Sequence, residues 1–301
     1  MTESRSLVRS KDSVALKCNR LPSLGDKDVL VKVAVAGICR TDQYAYNGTL
    51  QLVKDTTLGH EFSGFVYGVG SSLSEELVGR LVAINPIISC EDCAECRCLK
   101  PMLCQAQQML GIDVDGAFGE WVIIRSSQVY PVESDISPYE VSFAEPVAAA
   151  LGLLDINLPR EGRGAIVGRN RLALLSSKVL STVGYNCPVI SIDDLRDSSN
   201  EFDYLIESEI QLGIFDQLFQ SIKPGGTVVL KSRSYSPLTI IPREMVLKGI
   251  RLIAASYGDF SQAVKLIESK SLDFKDLIGE TYHLTRFQDA FRSAAVREDR
   301  K

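Results

Sequence analysis

Five of the chain's eight cysteines lie between residues 90 and 104, in the run CEDCAECRCLKPMLC. Cys90, Cys93, Cys96 and Cys104 stand in the spacing C-x2-C-x2-C-x7-C, which lets one short loop close four thiolates around a tetrahedral zinc ion. A shell filled by sulfur leaves no position for water or substrate. Such a metal is structural, and it folds a lobe that has no core of its own. Cys98 falls outside the shell on spacing, although it can replace a neighbour as a ligand.

Metal binding by clustered cysteines goes with a reducing compartment, where disulfides are rare. The polar start MTESRSLVRSKDS and the lack of any long apolar run predict a soluble, cytoplasmic chain with neither a signal peptide nor a spanning helix. A net charge of −5 gives no basic footprint for nucleic acid or for an anionic membrane. At roughly 150 residues per domain, 301 residues suggest two domains.

A second constellation lies upstream and downstream of the cysteine run. VAGICRTDQYAYNG offers Cys39, Thr41 and Asp42, LGHEFSGFV offers His60 and Glu61, and FAEPVAAALG offers Glu145. Mixed sulfur, nitrogen and oxygen donors from distant parts of a chain are the pattern of a zinc site with one open position, where the ion acts as a Lewis acid. His60 is one of only two histidines; the other, His283, sits in the strand-like ETYHLT and reads as structural. Pro146 opens an Ala-rich helix, which places Glu145 at its entrance. There Glu145 serves either as a ligand or as a favourable charge at the helix N-terminus.

Taken in order, GICRTD, LGHEFSG, the four-cysteine loop, GAFGEWV and AEPVAAAL resemble the zinc-dependent medium-chain dehydrogenases, the alcohol and polyol dehydrogenase superfamily. The resemblance covers nearly the whole chain and is most specific over residues 29 to 151. It implies a GroES-like β-rich catalytic domain over 1–155 and 257–301, and a Rossmann-type doubly wound parallel sheet over 156–256. It also implies that Cys39, His60 and Glu145 hold the catalytic zinc, with Glu61 beside them as a supporting group or alternate ligand. Thr41 matches the hydroxyl that relays the substrate proton, Asp42 the carboxylate behind the ligands, and Arg40 a basic residue near the cofactor pyrophosphate. Tyr44 stands where many relatives carry a relay histidine. A glutamate in EP-x-A resembles the polyol and threonine dehydrogenase branch. Two zinc ions, NAD(P) and a homodimer or homotetramer complete the implied assembly.

The second half reads as a cofactor domain with departures. An apolar run at 164–167, Gly168, a helical stretch and an apolar run at 188–192 ending in Asp193 outline a strand-turn-helix-strand unit. The glycine fingerprint is altered: Gly168 is kept, Asn170 stands second and Ala173 third. Asn170 puts a side chain where backbone should approach the pyrophosphate, and Arg169 and Arg171 are candidates to compensate with charge. Asp193 and Asp194 favour NAD over NADP by repelling a ribose phosphate. Only ten residues separate Ile192 from Asp203 in the next strand, too few for a further helix and strand, so one edge of the sheet is expected to be missing. After FDYLIE, the stretch SEIQLG carries Glu209 and Ile210 where relatives have small residues and a glycine.

Helices are expected from LGIFDQLFQSI, DFSQAVKLIESKSL and FQDAFRSAAV, a turn from KPGG, and strands from TVVLKS and from the end of MVLKGIRLIAAS, which relatives often pair across a dimer interface. Three functions are open to such a chain. The first is a zinc-dependent oxidoreductase moving hydride between a secondary alcohol or ketone, polyol- or amino-alcohol-like, and NAD(P). The second is a redox-neutral zinc lyase, hydratase or isomerase on the same scaffold with dinucleotide binding lost. The third is a zinc-ribbon interaction module. Substrate contacts are expected from Tyr44, Tyr46 and residues 109–115.

Overall fold

The structure is a computed structural model that describes all residues except 1, 2, 99, 100, 134, 211, 212, 236 and 298. The alternating β-branched stretch DVLVKVAVAG forms the strand Asp28–Gly37, next to one edge of the five-stranded β-rich sheet. It pairs antiparallel with Glu61–Val69 on one side and Trp121–Arg125 on the other. The full order of this sheet is Val129–Pro131, Leu81–Ile84, Glu61–Val69, Asp28–Gly37, Trp121–Arg125. Val29, Val31, Phe62, Val66, Val82 and Ile124 fill its core. A three-stranded sheet (Val14–Arg20, Glu3–Arg9, Thr56–Thr57) packs beside it.

The second part is a five-stranded parallel sheet in the order Val189–Ile190, Gly164–Val167, Phe202–Glu207, Ile222–Leu230, Arg251–Ala254. The chain therefore passes from the edge strand Val189–Ile190 straight to the far side of Gly164–Val167. No strand is built from the eleven intervening residues, 191–201, too few for a further helix and strand. They hold a short turn of 3-10 helix, Ile192–Leu195, capped by Ser191. The expected strand over 188–192 is cut to two residues because Ser191 and Asp194 form a capping box. KPGG bulges out between the paired registers Phe202↔Ile222 and Tyr204↔Thr227, so the strand starts before it as well as continuing after it.

The three helices expected from periodicity occur as Ile214–Ser221, Phe260–Glu268 and Phe287–Val296. ETYHLT differs from its strand-like reading: His283 is exposed and caps the 3-10 turn Leu284–Arg286, its side chain accepting from the Thr285 amide. A local side-chain acceptor there competes with a ladder. Among the described residues no helix is long and apolar enough to cross a membrane.

Candidate metal and cofactor sites

In the cysteine loop the four sulfurs of Cys90, Cys93, Cys96 and Cys104 lie within 4.8 Å of one another. Cys93 Sγ is 3.4 Å from Cys96 Sγ, which is 4.0 Å from Cys90 Sγ. These separations bracket the roughly 3.8 Å edge of a zinc–thiolate tetrahedron built on 2.3 Å bonds, so the residues fit the ion. The Cys93 amide donates to Cys90 Sγ and the Cys90 amide to Cys104 Sγ, each at 3.3 Å. Hydrogen bonds from the backbone at Asp92 and Cys93 hold the Cys90 thiol down to about 6, in the thiolate form a metal requires. Cys98 is exposed, ends the short helix Ala94–Arg97 and stays outside the cluster.

The second cluster forms where the strand Asp28–Gly37 ends. Cys39 caps the helix Arg40–Asn47: its Sγ accepts from the Thr41 amide at 3.1 Å, and Asp42 Oδ2 accepts from the Cys39 amide at 2.9 Å. The sulfur is thus fixed by the helix that carries Thr41 and Tyr44. His60 lies just before Glu61–Val69, buried to 1%, with Nε2 3.2 Å from Cys39 Sγ and Nδ1 3.2 Å from Asp42 Oδ1. Burial opposes its charge, but Asp42 and Cys39 outweigh burial and raise its pKa well above the ordinary value. Asp42, fully buried, orients the ring so that Nε2 and the sulfur converge, the arrangement of a metal-binding histidine with a carboxylate behind it.

Glu145 lines the same cleft but stands outside the tight Cys39, Asp42 and His60 cluster. Its helix starts two residues before Pro146, at Ala144, so Glu145 lies in the first turn and the proline at the third position. Tyr257, 112 residues away, donates its hydroxyl proton to Glu145 Oε1. Burial and then the charge of Glu61 raise the Glu145 pKa.

Glu61 points to cations instead. Arg171 Nη2 donates to its two oxygens at 2.8 and 2.9 Å, Lys301 Nζ lies 3.1 Å from Oε2, and the three side chains are almost wholly buried. Arg171 thereby spends its charge on the catalytic side, correcting its reading as a compensating phosphate partner. Of the residues expected to contact substrate, Tyr44 lines the cleft and meets Tyr235 edge-on at 5.1 Å. Tyr46 stacks on Phe291, and Asp113 and Asp115 accept from the amides of Met109 and Thr57, so these positions are structural. Lys231 and Arg233, at the end of the fourth parallel strand, face the cleft and were not singled out from the sequence. Burial and then Arg233 lower the Lys231 ammonium to about 7.

The glycine turn keeps its backbone form. Gly168 has φ +136°, and a Cβ there would sit 2.4 Å from Ser208 Oγ, so only glycine fits. Asn170 is buried and caps the helix Arg171–Thr182, Oδ1 accepting from the Ala173 amide at 2.9 Å and Nδ2 donating to Ser208 O at 2.8 Å. The Arg169 amide donates to Glu209 Oε2 at 3.2 Å. The first-turn amides of Arg171 and Leu172 have no partner within their own helix. Sheet, turn and helix therefore suit a dinucleotide, while Glu209 stands at the diphosphate's entry. Asp193 is exposed and paired with Arg196 at 2.6 Å, and it is not among the residues lining the cleft. Gln211 and Leu212 of the SEIQLG stretch lie outside the described residues.

Residues 25–134 match the alcohol dehydrogenase GroES-like domain family. The L-threonine 3-dehydrogenase of Bacillus subtilis is 26% identical over 309 residues, covering 90% of this chain and 89% of its own length. These likenesses are to the zinc-dependent medium-chain dehydrogenase superfamily. The fold agrees with two solved structures. A short chain alcohol dehydrogenase from Escherichia coli CFT073 complexed with NADH superposes with a TM-score of 0.89 at 20% identity, over 99% of this chain and 97% of that one. L-idonate 5-dehydrogenase from E. coli gives 0.88 at 21%, over 98% and 95%. One of these two neighbours is thus a complex with a nicotinamide cofactor.

Proposed function

We propose that this chain is a zinc-dependent oxidoreductase that moves hydride between a secondary alcohol or its ketone, of the polyol or amino-alcohol class, and NAD(P). The observation that carries this reading is the convergence of Cys39 Sγ and His60 Nε2, backed by Asp42, in a cleft that also receives Glu145 and the helix start Asn170 to Leu172 that follows the glycine turn. Cys39, His60 and Glu145 would hold the catalytic ion and the four-cysteine loop the structural one. When bound, zinc supplies Lewis acidity to a substrate oxygen and the nicotinamide a hydride acceptor.

The chain's own residues supply the rest. Thr41 Oγ1 takes the proton from the substrate hydroxyl, and Tyr44 stands at the rim, where it shields the cleft from water. Tyr257 holds the Glu145 carboxylate in place, while Arg171 and Lys301 neutralise Glu61 so that it does not compete with Glu145 for metal. The parallel sheet, within residues 156–256, forms the cofactor domain. The protein works as a cytoplasmic homodimer or homotetramer through the edge strand Arg251–Ala254, close to the exposed Val246 and Leu247.

A redox-neutral activity or a zinc-ribbon module accounts less well for this cleft, which joins a metal centre to a nucleotide-type turn. The test is titration of the zinc-loaded protein with NADH and NADPH by nicotinamide fluorescence, followed by turnover on a panel of polyols and amino alcohols. Saturable binding with turnover is expected. Failure of both nucleotides to bind at millimolar concentration would refute the hydride reading.

A further inference from the structure

We infer that Glu209 is the protein's own stand-in for a ligand phosphate, holding the glycine turn closed to diphosphates until it is expelled. The inference rests on the proposed assignment of a dinucleotide to this turn. A loop of backbone amides at a helix N-terminus recognises an anion by donating to it. Here one such donor, the Arg169 amide, is already given to a carboxylate reached across forty residues of sequence, Glu209 Oε2 at 3.2 Å. A second, the Ala173 amide, is given to Asn170 Oδ1. The two acceptors differ. Asn170 is neutral, buried and tied to Ser208 O, so it belongs to the frame. Glu209 is negative and only half-buried.

The space is shared as well as the donors. A Cβ placed on Gly168 would lie 3.0 Å from Glu209 Cβ, so the segment bearing the carboxylate presses directly on the turn. A diphosphate and the Glu209 carboxylate therefore compete for one place, and repel each other when both are near it. Arg171 does not offset that repulsion, because its guanidinium is committed to Glu61. How readily Glu209 leaves therefore bears directly on affinity for a nucleotide diphosphate.

The experiment compares the zinc-loaded full chain with Glu209→Gln and Glu209→Ala. Affinity for NADH is read by fluorescence and for inorganic pyrophosphate by calorimetry, with melting curves as a check on folding. Both variants should bind both ligands at least about tenfold more tightly, roughly 1.4 kcal/mol, with Glu209→Ala the tighter because it also vacates space. Unchanged or weaker binding of pyrophosphate in both variants, or absence of binding in every protein, overturns the inference. If pyrophosphate tightens while NADH binds none of the proteins, the inference stands and the hydride reading fails. If NADH binds all three equally, the inference fails and the hydride reading stands.

Discussion

Arg171→Met tests the link between the nucleotide-side helix and the metal centre. The change removes both Nη2 bonds to Glu61 and the bond from Nη1 to Ile38 O at 3.3 Å. The side chains of Arg171 and Glu61 are 12% and 4% exposed, so a buried carboxylate loses its main counter-charge. Removing one member of a buried pair costs roughly 3–5 kcal/mol. Lys301 remains 3.1 Å from Oε2 and keeps part of the compensation, which brings the expected loss down to about 2–3 kcal/mol. Denaturant unfolding can be followed through the fluorescence of Trp121, the single tryptophan, which lies in the strand paired with Asp28–Gly37. Glu61→Gln in the same background should recover at least about 1 kcal/mol, because no charge is then left unpaired. Arg171→Lys should restore only part, lacking the second nitrogen that donates to Ile38 O. A loss under about 0.5 kcal/mol with no coupling to Glu61 would refute the assignment.

Metal analysis should find two zinc ions per chain, and Cys93→Ser should lose one of them together with solubility, because the loop folds on its ion; soluble protein retaining two ions would contradict this. His60→Ala should lose the other ion and orders of magnitude of turnover while the melting temperature changes little, since a three-ligand site has no spare donor. Near-normal turnover with two ions, or outright unfolding, would each count against the metal role. Lys231→Met should flatten the dependence of stability on pH. In the folded protein Lys231 titrates near 7 against an ordinary 10.5, so the unfolded chain binds the extra proton between those values. The wild type should therefore gain stability as pH rises from about 7 towards 10, by up to the order of 4 kcal/mol, and pay the full cost below 7. Equal slopes in wild type and variant would remove Lys231 as the cause.

Much of this site is legible in the sequence because its determinants are local. The sulfur shell is set by spacing within one loop, and the loss of a sheet edge follows from ten residues being too few to cross over. Cys39, Asp42 and His60 are legible as residue types, and folding adds that Asp42 holds the ring while also capping its own helix. The pairs that tune the centre are the part that stayed hidden. Glu61 with Arg171, and Glu145 with Tyr257, join residues 110 and 112 positions apart, and no periodicity marks such partners. Arg171 beside an altered glycine turn is read naturally as a phosphate ligand, and only the packed structure shows its side chain crossing to a carboxylate on the other side of the cleft. Asp193 similarly looks like a ribose acceptor at a strand end until Ser191 stops that strand and Arg196 takes the carboxylate.

The shortened sheet has a consequence for what the scaffold tolerates. A strand removed from the middle of a parallel sheet would split it, whereas one removed from the rim costs contacts on a single side. What is left at that rim is two residues, Val189–Ile190, too short a row of unpaired backbone to recruit another chain and aggregate. The segment from Ser191 to Glu201 then closes through Asn200 at φ +50°, a conformation asparagine accepts readily. Neither end of that segment touches a metal ligand. It is a hinge point for protein engineering, where a helix and strand can be grafted back, or a tag inserted, without disturbing either cysteine-containing site.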